Sequence, residues 1–225
     1  MADYGRKELI AMEKTQQMEI KNYVVPVMRR AGDERSFAGT AFLIENNLLT
    51  AGHVLDRVQT YYVRNAGFYF PLEHIMWWPR QVQAEDKLGY DVAVYPVGTL
   101  LSPLSLSDKD TGKGDELEVL CWQMRNGKLE QVLTPCIVRG DADEEGYFQI
   151  STAERITHGA SGCPVLKDGK VYGMLTMGRD FFETPRGGFL GIGAQHQRLM
   201  QRYEENTCWV FKSSYVKRFM PPAVR

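Results

Sequence analysis

The 225-residue sequence lacks several features that would place it quickly. Its four cysteines, Cys121, Cys136, Cys163 and Cys208, include no CxxC pair and no metal-ligand spacing, and neither His74 nor His196 has thiol or acidic partners at such a spacing. Charge of one sign is missing too. Against 27 Lys and Arg stand 28 Asp and Glu, so no broad field draws in nucleic acid or an anionic membrane, and neither is expected as a partner. No uncharged apolar run approaches the roughly 18 residues that cross a bilayer. The opening stretch, MADYGRKELIAMEKTQQMEIKNY, has no apolar core of the length a secretory signal needs. Unless a leader precedes it, a reducing, cytoplasmic location is expected. What remains is 44% hydrophobic, 24% charged and 11% aromatic, an ordinary globular composition that excludes disorder and collagen.

Residues 1–22 are polar, with Leu9, Ile10, Met12, Met18 and Ile20 loosely at helical spacing, which suggests a short amphipathic helix or an arm. From Tyr23 onward the texture changes to short strand-like runs separated by turn residues, the pattern of an all-β sandwich or a pair of barrels. The runs fall at 23–28, 40–45, 48–51, 60–64, 68–71 and 91–97, then at 116–123, 128–138, 147–151, 163–166, 170–176 and 188–193. The polar stretch SPLSLSDKDTGKG at 102–114 is the best linker and divides the strands six and six. The expected organisation is therefore an arm at 1–22, a first β unit at 23–101, the linker, a second β unit at 115–205 closed by a helix at 195–205, and a tail at 206–225.

Hairpin turns are expected at Asn46-Asn47, Asn126-Gly127 and Asp168-Gly169. Pairing across Asn126-Gly127 sets Cys121 opposite Val132 and Cys136 opposite Leu117. The two sulfurs are then about four residues apart along the strands, roughly 13 Å, too far for a disulfide. All four cysteines read as free buried thiols.

Three segments carry the chemistry. GTAFLIENNLLTAGHVL places His53 just past a strand, GYDVAVYPV places Asp91 at the start of one, and HGASGCPVL places Ser161 in a Gly-rich turn before another. A hydroxyl is a poor nucleophile without an adjacent base. An imidazole base in turn needs an acceptor to fix its tautomer and to stabilise its cation. His53, Asp91 and Ser161 supply those groups. Gly159 can turn its N–H toward the same point as the Ser161 N–H, giving a two-donor oxyanion pocket. Asp86 or Glu85 stands as an alternative orienting acid. His158 reads as a rim residue, His74 and His196 as structural, Cys163 as a small core residue, and the Trp77-Trp78 pair as packing or a contact patch.

With TAGH at 50–53, DVAVYPV at 91–97 and GASGCP at 159–164 in this order, the chain resembles the trypsin-like (chymotrypsin-fold) serine peptidases. KVYGMLTMG at 170–178, GGFLGIG at 187–193 and the closing helix extend the resemblance over 23–205. It implies an all-β fold of two six-stranded antiparallel barrels with the active site in the cleft between them. His53 and Asp91 would then come from the first barrel and Ser161 from the second. Hairpin arithmetic across Asp168-Gly169 pairs Leu166 with Val171 and Pro164 with Gly173, and sets Ser161 beside Thr176. In the family, the strand equivalent to Thr176, Met177 and Gly178 hydrogen-bonds the substrate backbone. The chain departs from secreted digestive members: Ala160 stands where they carry an aspartate, and no cysteine flanks His53. It looks more like intracellular bacterial or viral members, including HtrA-type and polyprotein-processing peptidases, and for a viral protein the location would be the host cytoplasm.

By family register the floor of the primary pocket is Arg155, with Thr157 and His158 at the rim and Thr176, Met177, Gly178 and Gly188 as walls. A cation on the floor would favour an acidic residue before the scissile bond; glutamine and small polar residues are competitors, and Arg155 pointing to solvent is the other geometry. The expected function is a serine endopeptidase acting on a protein or peptide through an acyl-enzyme on Ser161, with no metal or organic cofactor. The alternatives are a peptidase-fold binding module that does not cut, and an esterase or acyltransferase.

Overall fold

The computed structural model describes residues 19–31, 34–55, 60–65, 68–71, 91–97, 102–143, 146–157, 159–178 and 206–220. Six strands precede the polar stretch: β1 (Val24–Ala31), β2 (Glu34–Ile44), β3 (Asn47–Thr50), β4 (Thr60–Asn65), β5 (Phe68–Pro71) and β6 (Ala93–Pro96). They form one antiparallel sheet in the order β5-β4-β1-β2-β3-β6. Among the described residues its ends, β5 and β6, do not pair, so the described strands form a half-barrel sheet, the first of the two units of the expected two-barrel fold. The β2–β3 turn also differs by one residue. Exposed Glu45 and Asn46 form it, Glu45 at φ 51°, and Ile44 pairs with Asn47. A turn at Asn46-Asn47 would have drawn charged Glu45 into the ladder.

The second lobe closes. β8 (Glu116–Arg125), β9 (Lys128–Val138), β10 (Tyr147–Thr152), β13 (Thr207–Lys212), β12 (Lys170–Gly178) and β11 (Pro164–Lys167) follow one another around it, and β11 pairs with both β12 and β8. The two hairpin turns of this lobe form where the sequence puts them, with Asn126 at φ 50° and Asp168 at φ 52°, the left-handed region that two-residue hairpins need. Cys121 faces Val132 and Cys136 faces Leu117, and all four cysteines are buried and outside any disulfide.

Strand alternation sorts the side chains into two cores. From β8, Leu117, Val119 and Cys121 point into the barrel with Val132, Cys136, Val138, Phe148, Ile150, Cys163, Val165, Leu175, Cys208 and Val210. The opposite face of the same strands turns toward the first lobe. Leu120, Tyr147, Phe211 and Phe219 join Val24, Val27, Phe42, Ile44, Leu48 and Leu49 in a core that spans both lobes. Trp122 pins this junction, its Nε1–H donating to the Val24 carbonyl at 2.8 Å.

Two expectations are corrected. The strand completing the barrel is β13, within the segment expected as a tail, and the run expected at 188–193 lies outside the described residues. β13 buries both faces: Cys208 and Val210 inside the barrel, Phe211 against Tyr147 with ring centroids 4.9 Å apart. It therefore shows no polar alternation to find. The polar stretch 102–114 is not a bare linker, because β7 (Ser105–Leu106) adds to β12 in parallel. The expected closing helix at 195–205 lies outside the described residues; the described helical segment is α1 (Ser213–Val216) running into a 3₁₀ turn, Lys217–Phe219. Ahead of β1, residues 19–21 form a helical turn; the rest of the expected arm is outside the description. No described helix is long and apolar enough to cross a membrane.

Candidate active site

The pairing of β3 with β6 explains why two residues far apart in sequence meet. Thr50 faces Ala93, so the chain leaving β3 and the chain entering β6 run side by side. Beyond β3 the backbone makes one 3₁₀ turn, Gly52–Val54, with His53 at its middle. Asp91 lies two residues before β6. Its carboxylate takes two hydrogen bonds from the same residue: the His53 backbone N–H donates to Oδ1 at 2.7 Å, and the ring meets Oδ2 through Nδ1 at 2.5 Å. This grip places the proton on Nδ1 and makes Nε2 the basic nitrogen. The Asp91 N–H in turn reaches the Tyr147 hydroxyl of the second lobe at 3.4 Å. Asp86 and Glu85 lie outside the described residues.

The His53 and Asp91 side chains remain 22% and 19% exposed, so the pair opens to solvent without being awash in it. Burial acts to lower the His53 pKa, but the charge and hydrogen bond of Asp91 outweigh it and hold the imidazole above its ordinary 6.5.

Ser161 sits in the turn between residues 157 and 163. The turn is tied to its own lobe by Gly162 N–H to the Leu175 carbonyl at 2.7 Å and by Leu175 N–H to the Cys163 carbonyl at 2.9 Å. The Ser161 hydroxyl donates to the Thr176 carbonyl at 3.3 Å, which places it beside Thr176 as the hairpin arithmetic requires. A bulge after Val165 shifts the register, however, so that Pro164 pairs with Met174 and not Gly173. Gly159 has φ +101°, and a Cβ there would come within 1.9 Å of Phe37 Cε1, so both backbone and space demand glycine.

The same turn abuts the first lobe. The Thr40 N–H donates to the Ser161 carbonyl at 2.9 Å. An ideal Cβ on Gly39 would lie 2.7 Å from the Val54 methyls and 3.2 Å from the Ser161 carbonyl. The residue after His53 and the backbone of Ser161 thus flank one point.

The profile of the trypsin-like peptidase domain matches residues 39–174, more than half of the chain, and spans His53, Asp91 and Ser161. The chain belongs to the trypsin-like peptidase family. It is a serine-type endopeptidase by family, a hydrolase acting on protein or peptide substrates. Solved structures similar to this peptidase include the Rv3671c protease of M. tuberculosis in its active form, at 18% identity and TM-score 0.59, covering 88% of this chain and 79% of that one. The serine endoprotease of Yersinia pestis is 18% identical with TM-score 0.63, covering 89% of this chain and 62% of that one. A human pathogenic astrovirus serine protease is 15% identical with TM-score 0.52, covering 85% and 90%. At these identities the likeness is one of fold. No curated protein sequence matches.

The other expected site residues scatter more. Thr157 is anchored, its N–H and Oγ1 both donating to buried Gln123 Oε1 at 3.1 and 2.9 Å. Arg155 is exposed, while its neighbour Ile156 is the buried residue. Thr176 is fully buried at a bulge in β12, where the register against β13 shifts. Met177 and Gly178 end β12, facing Trp209 and Cys208. His158 and Gly188 lie outside the described residues, as do His74, His196 and the Trp77-Trp78 pair. Cys163 is fully buried, and burial pushes its thiol well above the usual range; burial likewise takes Cys136 up to about 12. These thiols stay protonated and unreactive. Sequence reasoning gave no role to Gln123 and Tyr147, which no motif marks, nor to Thr40, which lies in the segment leading to His53.

Followed by NMR, the His53 imidazole should titrate above 6.5. Asp91→Asn removes what raises its pKa and leaves the burial that lowers it, so the midpoint should fall below 6.5. An unchanged midpoint in that variant would show that Asp91 does not control the ring.

Proposed function

We propose that His53, Asp91 and Ser161 act together as the catalytic triad of this peptidase. The reading is carried by the two-point grip of Asp91 on His53, set beside the turn that bears Ser161. His53 Nε2 takes the proton from Ser161 Oγ as the oxygen attacks the substrate carbonyl carbon, and Asp91 stabilises the imidazolium that results. The N–H groups of Gly159 and Ser161 receive the oxyanion. The imidazolium gives its proton to the departing amine, leaving an acyl group on Ser161. Neutral His53 then deprotonates a water, which releases the acid and frees the serine. Because the base must be neutral, turnover falls as pH drops through the His53 pKa, above 6.5.

Substrate is read as an extended segment of a cellular or viral protein, lying along β12. Among the described residues Met177 and Gly178, just past Thr176, have a β13 neighbour on one side only, which supports strand addition on the other. Arg155 supports an acidic or polar preference before the scissile bond. Its exposure makes that preference modest, because a solvent-screened pair contributes about 0.2–1 kcal/mol, at most about fivefold in selectivity.

Ser161→Ala should lower kcat by about 10⁴–10⁶ with the fold intact, and an organophosphonate should label the wild type at Ser161 alone. A folded wild type that resists the probe would instead make the cleft a peptide-binding groove that does not cut. In a peptide-library profile, Arg155→Gln should erase a few-fold preference for acidic residues. A profile unchanged by that substitution would remove Arg155 from the specificity site.

A further inference from the structure

Thr40 sits on β2 in the first lobe, at the start of the segment that leads to His53 but well away from the histidine in sequence, and its side chain is fully buried with each of its polar atoms engaged. Its backbone N–H donates to the Ser161 carbonyl at 2.9 Å. Its hydroxyl accepts from the Trp122 N–H at 3.0 Å and donates to the Gly159 carbonyl at 2.7 Å. Its carbonyl accepts from Thr50 Oγ1 at 2.7 Å. A threonine hydroxyl has one proton to give. With Trp122 occupying an acceptor site, the short contact assigns that proton to Gly159.

We propose that Thr40 is a positioning residue for the turn that bears the nucleophile, an inference that rests on the reading of Ser161 as that nucleophile. The carbonyls of Gly159 and Ser161 belong to the two peptide planes that bracket the Ala160–Ser161 peptide. Each plane is rigid, so fixing its carbonyl fixes its rotation. One side chain and its own backbone therefore hold both flanks of Ser161, and the Ser161 N–H and Oγ keep a single direction. The anchor comes from the lobe that carries His53 and Asp91, so Thr40 sets the nucleophile's orientation relative to its base. The Trp122 N–H makes the hydroxyl hard to replace, since valine preserves the shape of Thr40 but leaves Trp122 without its acceptor and Gly159 without its donor.

The experiment compares Thr40→Val, Thr40→Ala and Thr40→Ser with the wild type. It measures kcat and KM on a peptide substrate, the rate of organophosphonate labelling at Ser161, and thermal unfolding. Folded Val and Ala variants should lose about 10- to 100-fold in kcat and in labelling rate, because a small misplacement of reacting groups is worth that much, while KM stays within about twofold. Thr40→Ser keeps the hydroxyl and should stay within about threefold of wild type. Folded Val or Ala variants with wild-type kcat would overturn the inference, as would a Ser variant as slow as the Val variant. If neither the Val nor the Ala variant folds, the contact serves the fold alone and the positioning role falls. Wild type that is not labelled at Ser161 would sink the triad reading and this one with it. Wild type and Thr40→Val labelled equally fast would sink only this one.

Discussion

The site depends on a seam where the turn at 159–163 meets the β2–β3 hairpin. Gly162, at φ +86°, is what lets them touch: a Cβ there would lie 2.2 Å from the Thr40 carbonyl oxygen, 2.3 Å from Thr50 Oγ1 and 2.8 Å from the Ala51 nitrogen. Two of those residues, Thr50 and Ala51, lead directly into the 3₁₀ turn that presents His53. The base proposed in the first lobe and the nucleophile proposed in the second are thus joined through backbone only a few bonds from each, and not through distant packing.

Two further constraints keep that seam in register. β13 closes the second barrel, and its outer face places Phe211 against Tyr147, whose hydroxyl meets the backbone of Asp91. Trp122 crosses in the other direction to the Val24 carbonyl while its own N–H bonds the Thr40 hydroxyl. Polar contacts across an apolar junction of this kind are costly to leave unmade, since an unsatisfied buried donor costs about 1–3 kcal/mol. The two lobes are therefore specified against sliding as well as held together. The short Asp91–His53 contact acts on the same geometry electrostatically, overriding a burial that by itself would make the imidazole a weaker base.

Much of this is legible in one dimension, for physical reasons. Asn126-Gly127 and Asp168-Gly169 fix their hairpins because few residues tolerate the left-handed conformation such turns need. TAGH, the aspartate before a strand and the Gly-rich serine turn are recognisable because each combines a reactive group with the backbone chemistry that presents it. β13 escapes because TCWVFK is buried on both faces and follows the polar run QRYEEN; its aromatic and branched residues after Asn206 are the available signal. The bulge after Val165 escapes because loop arithmetic assumes an unbroken ladder. Family register alone places Arg155, and a loop offers no periodicity to check it. Thr40 lies in the segment that leads to His53 but carries no mark of its own: a threonine within a strand is ordinary until its partners across the seam are known.

The most direct test is a crystal structure with an uncleaved substrate-like peptide inhibitor seated along β12, read at one distance. His53 Nε2 and Ser161 Oγ should lie about 2.6–3.2 Å apart, with the carboxylate of Asp91 still gripping Nδ1. A separation beyond about 5 Å, with the His53–Asp91 contact intact and the peptide in place, would contradict the account, because the seam would then hold the base and the serine apart.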